Sequence, residues 1–134
     1  MSFANLSDDG RKWHIDFADA IASRDAARYV SFMHDDCSVQ INNNMPVYSK
    51  FAIERAFIEY LRNFRSLSYE ILNISGTDRS SAVEALFTYV CNDGSVEVVQ
   101  HAYFCERDET GLLTSVRLYG DTTRILKPFM TAND

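Results

Sequence analysis

The sequence predicts an α+β fold in which a curved, cone-shaped antiparallel or mixed sheet wraps around a long helix, with further helices at the N-terminus. Segments of helical period fill the first half of the chain and segments of two-residue period the second. The third helical segment puts Phe57, Tyr60 and Phe64 on one stripe, and three large aromatics need a concave surface to lie against. The last strands follow one another through tight turns, as an antiparallel meander does.

Residues 8–23 have helical spacing, with Trp13, Phe17, Ala20 and Ile21 on one side and Arg11, Lys12, Asp16 and Asp19 left to solvent. Ser7 or Asp8 caps it. Asp25 reads as the cap of a second helix, Ala26–Met33, which His34-Asp35-Asp36 closes. Cys37–Asn42 alternates and is a half-buried strand, followed by a turn over Asn42-Asn43-Asn44 and Pro46. Ser49–Phe64 is the clearest helix, with Ile53, Ala56, Phe57, Tyr60, Leu61 and Phe64 as its stripe. Strands are expected over Ser68–Gly76, Ala82–Cys91, Val96–Glu106 and Leu112–Gly120, with Asn92-Asp93-Gly94-Ser95 as a hairpin turn.

A chain of 134 residues is a single domain on length, with an ordered core expected over about 8–128 and ends without order at Met1–Ser7 and Thr131–Asp134. Hydrophobic content of 46% and charged content of 24% are those of a soluble globular protein. A net charge of −6, with scattered Lys and Arg, speaks against nucleic acid as a partner, because phosphate binding needs clustered cations. No signal peptide and no membrane span are read, and Cys37, Cys91 and Cys105 suit reduced, mostly buried thiols in a cytoplasmic protein.

In the strand Ala82–Cys91, Val83, Ala85, Phe87 and Tyr89 point one way and Leu86 and Val90 the other. A sheet with one wet face alternates more cleanly. Helices cover one side, and a second copy of the chain is the simplest cover for the other. A homodimer through the sheet face is therefore expected, with a larger monomeric core as the alternative.

Asp35-Asp36-Cys37-Ser38-Val39, the Ile53–Phe57 helix and Gly111-Leu112-Leu113-Thr114-Ser115-Val116-Arg117-Leu118-Tyr119-Gly120-Asp121, in that order, resemble the nuclear transport factor 2-like superfamily. That superfamily includes SnoaL-like polyketide cyclases, the branch the chain resembles, alongside ketosteroid isomerase, scytalone dehydratase and limonene epoxide hydrolase. The resemblance runs from about Trp13 to Leu126 and implies a cystatin-like α+β roll with a hydrophobic pocket. It is weak for activity, since one fold hosts many functions. Compared with ketosteroid isomerase, the donor tyrosine falls on Phe17, the aspartate base on Ile41 and the protonated acid on Tyr103, so that mechanism is not expected. The acidic residue that ends the last strand of the cyclases and the epoxide hydrolase matches Asp121. That match makes Asp121 a candidate for proton transfer, provided a bend or bulge near Gly120 turns it inward.

Glu97, Val99, His101, Tyr103 and Cys105 share a strand face that would aim into the cone. Asp121 and His101 with Tyr103 as donor make a catalytic set for general acid–base chemistry. The bland readings are a structural histidine, a packed tyrosine and a strand-ending aspartate. Trp13, His14, Phe17, Tyr48, Phe57, Tyr60, Phe64 and Val99 are the expected pocket wall, with Phe87 and Tyr89, suited to a small hydrophobic molecule. His14 otherwise reads as a surface histidine. His34-Asp35-Asp36 has the composition of a metal site but reads as a solvated helix end, so neither metal nor cofactor is expected. Three functions compete: a cofactor-independent isomerase, cyclase, dehydratase or hydrolase; a non-catalytic binder; and a dimeric association module. A filled interior favours the last.

Overall fold

The structure, a computed structural model, describes residues 6–126. Over these residues the order is α1 (Asp8–Ala22), α2 (Ala26–Val30), β1 (Met33–Ile41), β2 (Val47–Tyr48), α3 (Lys50–Leu61), β3 (Phe64–Gly76), β4 (Ser80–Cys91), β5 (Val96–Arg107) and β6 (Leu113–Tyr119). The strands form one mixed sheet in the order β2-β1-β6-β5-β4-β3. β1 runs parallel to β6, and every other pairing is antiparallel. No described helix is long and apolar enough to cross a membrane.

Each helix starts on a side-chain cap. Ser7 Oγ accepts from the Gly10 N–H, Asp25 from Arg28 and Ser49 from Ala52. Ser7 also donates through its backbone N–H and its hydroxyl to the Asp78 carboxylate, fixing α1 to the β3–β4 turn. Leu6 is buried and Ser7 is bonded, so these two are ordered although the sequence reading puts them in an end without order; the rest of that end, residues 1–5, lies outside the described residues. The predicted C-terminal end at Thr131–Asp134 and the last two residues of the predicted core lie outside the described residues.

Several boundaries differ from the sequence reading. The second helix stops at Val30 rather than Met33, because the Leu113 N–H takes the Phe32 carbonyl and Met33 pairs with Leu113 at the start of β1. His34-Asp35-Asp36 therefore lies in β1, where the register shifts between Met33 and Ser38, and not at a helix end. The third helix is twelve residues long and ends at Leu61. The Asn63 carboxamide donates to the Glu59 and Tyr60 carbonyls, and Phe64 turns into β3 as a buried strand residue. The short strand β2 falls between the predicted turn and the predicted helix start, where the sequence reading places no element.

Register sorts the sheet into two faces. Val83, Ala85, Phe87 and Tyr89 of β4 and Val99, His101, Tyr103 and Cys105 of β5 are buried against the helices. On the other face Thr88 pairs with Val98, Leu86 with Gln100, Ala82 with Phe104, and Ala102 with Tyr119. Val98 there is 60% exposed and Tyr119 44%, with no described element packed over them.

Candidate active site

The cone is filled by its own rings. Trp13 stacks on Phe17, Phe17 on Tyr29, Tyr29 on Phe57 and Phe57 on Tyr60, a row that runs from α1 through α2 to α3. Beneath it lie Phe87, Tyr89, His101 and Tyr103 from the inner face of the sheet. Two hollows of about 590 and 390 Å³ open on the outside. One lies among Arg24, Asp25, Ala26, Ile58, Leu61 and Arg62, and the other among Asp35, Ser49, Lys50, Phe51 and Glu54. The polar groups inside the cone lie at neither.

The inner face of β5 is aimed as its alternation predicts. His101 is 1% exposed, with Nε2 2.8 Å from the Tyr89 hydroxyl. That hydroxyl lies 2.5 Å from the hydroxyl of Tyr60. Three ionisable groups from β5, β4 and α3 thus form one hydrogen-bonded series, and Tyr60, half-buried, is its outer end. Burial pulls the His101 ring below its ordinary value, so it is neutral at pH 7. The Tyr119 backbone favours the charged ring but is not placed to bond Nδ1, which has no hydrogen-bond partner among the described residues. Burial raises Tyr89 and Tyr60, the latter also through its hydroxyl neighbour, so both keep their protons.

Tyr103 is buried beside Phe17 and Phe87, and its hydroxyl also lacks a partner among the described residues. An unpaired buried hydroxyl costs about 1–3 kcal/mol, so this position invites a polar group from elsewhere.

Asp121 does not join His101 and Tyr103. Alternation holds through the end of β6: Tyr119 faces out, Gly120 faces in against the His101 ring, and Asp121 faces out again. The register shift between β5 and β6 lies at Glu106/Arg107, far from Gly120, so nothing turns the carboxylate inward. Asp121 is exposed and accepts from the N–H and hydroxyl of Thr123, contacts that hold its carboxyl below the usual range.

The expected wall divides. Phe17, Phe57, Phe64 and Val99 are buried in the core, and Trp13 and Tyr60 are half-buried at its edge. Arg107 lies over the Trp13 ring at 4.2 Å. Tyr48 is 65% exposed on the edge strand β2 and walls nothing inside. His14 is not a surface histidine. It is buried, with Nε2 2.7 Å from Ser81 Oγ, and its pKa is lowered to about 4 by burial and by the Arg107 guanidinium, against the pull of Asp78. Burial pushes Cys37 up to about 11 and Cys105 to about 12, which makes both thiols inert at neutral pH.

The sequence reading misses the links from Tyr60 through Tyr89 to His101, and from His14 to Ser81. Tyr89 pairs across the ladder with Glu97, and His101 with Ala85, so the contact is diagonal and no spacing along the chain announces it.

No family model and no curated protein matches the chain. Among solved structures, a protein described as a SnoaL-like polyketide cyclase from Jannaschia sp. CCS1 superposes with a TM-score of 0.76 at 15% identity, over 98% of this chain and 96% of that one. A protein of ketosteroid isomerase-like fold from Catenulispora acidiphila, in complex with trimethylamine, gives 0.74 at 11% identity, over 84% and 88%. An LEH-like epoxide hydrolase of M. tuberculosis gives 0.71 at 13% identity, over 91% and 90%. At these identities the likeness is one of fold, and it spans almost the whole cone.

Proposed function

From the premise that this chain has the nuclear transport factor 2-like fold, we propose that it acts without a cofactor on a small apolar molecule carrying an oxygen function. The reaction would be an isomerisation, cyclisation, dehydration or hydrolysis run by general acid–base chemistry inside the cone. The observation that carries the reading is the Tyr60–Tyr89–His101 series, set in an aromatic interior beside the unpartnered Tyr103 hydroxyl. An apolar core packs as well without such groups, and ordering them costs desolvation. The enzymes among the structural neighbours support the same class of chemistry.

In this reading a substrate proton passes to the Tyr60 oxygen as the Tyr60 proton moves to Tyr89 and the Tyr89 proton to His101 Nε2. The return transfer delivers a proton elsewhere on the substrate, so an isomerisation balances with no other reactant. Both tyrosines hold their protons tightly, so the transfer is concerted and leaves no phenolate behind. Tyr103 donates to the ligand's oxygen. The rings fill the cone, so the ligand enters by displacing side chains at the Tyr60 end.

Exchange of ligand hydrogens with D2O reads this chemistry without knowledge of the product. Small apolar ketones that bind should exchange the hydrogens next to their carbonyl. Tyr89→Phe and His101→Gln should slow exchange by about 10²-fold or more, whereas Asp121→Asn should leave it unchanged. Exchange that survives Tyr89→Phe, or that vanishes in Asp121→Asn, overturns the assignment.

A second reading is favoured by the uncovered outer face, which exposes Val98, Phe104 and Tyr119, and by the filled interior: association of two copies through the sheet, with the interior groups merely structural. Dimers without any saturable ligand would support it.

A further inference from the structure

Gly120 and Asn42 lie outside the series described above, yet they meet its inner end. Gly120 does not have a left-handed φ, so its backbone would suit any residue. Space is what demands glycine there. A Cβ on Gly120 would collide with His101 Nδ1 and stand 3.0 Å from the Gln100 carbonyl oxygen. The imidazole therefore rests directly on the Gly120 backbone.

Asn42 fixes that backbone from the neighbouring strand. Its Nδ2 donates to the Gly120 carbonyl at 2.8 Å, and its Oδ1 accepts the Gly120 N–H at 3.0 Å. Its own N–H donates to the Leu118 carbonyl at 2.8 Å. These three hydrogen bonds tie the residue after Ile41 to Leu118 and Gly120, just beyond the last pair of the parallel β1–β6 ladder. Asn42 has φ 51°, a left-handed conformation that asparagine tolerates better than most residues. A two-way carboxamide bond to a main chain is a rigid device, and here it holds the residue that directly follows β6.

We propose that Asn42 is a positioning residue for the interior series: it clamps the Gly120 backbone against the His101 ring and so fixes which imidazole nitrogen carries the proton. Gly120 lies against Nδ1, and the Tyr119 backbone next to it favours a proton on the ring even without a formed hydrogen bond, so the N–H is assigned to Nδ1 and Nε2 keeps its lone pair for the Tyr89 hydroxyl. Release of the clamp lets the ring turn, and the other tautomer then competes. The inference uses the series on which the proposed function rests, but it concerns proton placement and stands or falls without turnover.

The test is ¹⁵N NMR of the histidine side chains at pH 7, with His101 assigned from the signals lost in His101→Gln. The native chain should show one tautomer with the proton on Nδ1, and a slowly exchanging Tyr89 hydroxyl proton. Asn42→Gly keeps the left-handed backbone and deletes the clamp. It should give a mixture of tautomers and lose the hydroxyl signal. Asn42→Asp keeps only the acceptor and should give an intermediate mixture, and it decides the matter should Asn42→Gly fail to fold. Gly120→Ala should act like Asn42→Gly, and Asn43→Gly, in the adjoining exposed turn, should change nothing. A native-like single tautomer in both Asn42→Gly and Gly120→Ala overturns the proposal, as does a native ring protonated on Nε2.

Discussion

His14 and His101 are both buried imidazoles that bond one hydroxyl and leave Nδ1 without a protein partner among the described residues. They differ in what surrounds them. His14 joins α1 to β4 through Ser81, near Arg107 and Asp78, and titrates at about 4 where an ordinary histidine titrates at 6.5. The unfolded chain therefore takes up this proton first. The stability attached to the neutral ring is complete above about pH 6.5 and is lost as pH falls toward 4, by roughly 3 kcal/mol at most. Carboxylates such as Asp78, held low by Ser7, add acid lability at still lower pH. His14→Gln leaves that part in place, so the drop in melting temperature from pH 7 to pH 4.5 should be smaller in His14→Gln than in the native chain. Equal drops would mean that His14 is not neutral in the folded state. The sequence reading puts His14 beside the apolar stripe of α1 but on the surface, because Ser81, its partner, lies 67 positions away.

At the scale of elements, period is what made the fold legible. Val83, Ala85, Phe87 and Tyr89 alternate with Leu86 and Val90, and the structure buries the first set on the inner face. Strand and helix ends were less legible, since tertiary contacts set them: the Phe32–Leu113 bond ends α2 early, and Asn63 ends α3. Asp121 shows how strictly alternation governs a strand end. Its inward turn needed a bulge, and β6 carries none there. The same alternation produces the outer face of β3–β6, roughly 19 by 40 Å for four strands of seven to thirteen residues. About 700 Å² per copy approaches the ~800 Å² per partner of a standard interface. We propose that a second copy covers it. Phe104 and Tyr119 pack edge-to-face there, with Arg117 over Phe104. Val98→Lys should shift the chain from dimer to monomer in sedimentation at micromolar concentration without changing its melting cooperativity. A native chain that sediments as a monomer would refute this cover.

For the molecule as a whole, the cone and its contents follow from one arrangement: helices on one face of a curved mixed sheet, with aromatic residues from both layers meeting between them. The sequence shows which residues face inward, because side-chain direction repeats along each element. It does not show which inward residues touch, because contacts such as Tyr60–Tyr89 cross between elements whose offset only the packed structure sets. That is why His101 and Tyr103 were legible as candidates and their hydrogen-bonding context was not. The proposed function places the ligand inside this interior, against the Tyr60–Tyr89–His101 series, rather than in the open hollows or on the outer sheet. Chemical-shift mapping with a small apolar ketone that binds saturably tests this most directly. The largest shifts should fall on His101, Tyr103, Tyr89 and Tyr60, with Val98 and Phe104 unmoved. Shifts confined to the outer face, or to the hollow at Arg24 and Arg62, with the His101 ring nitrogens unchanged, would contradict it.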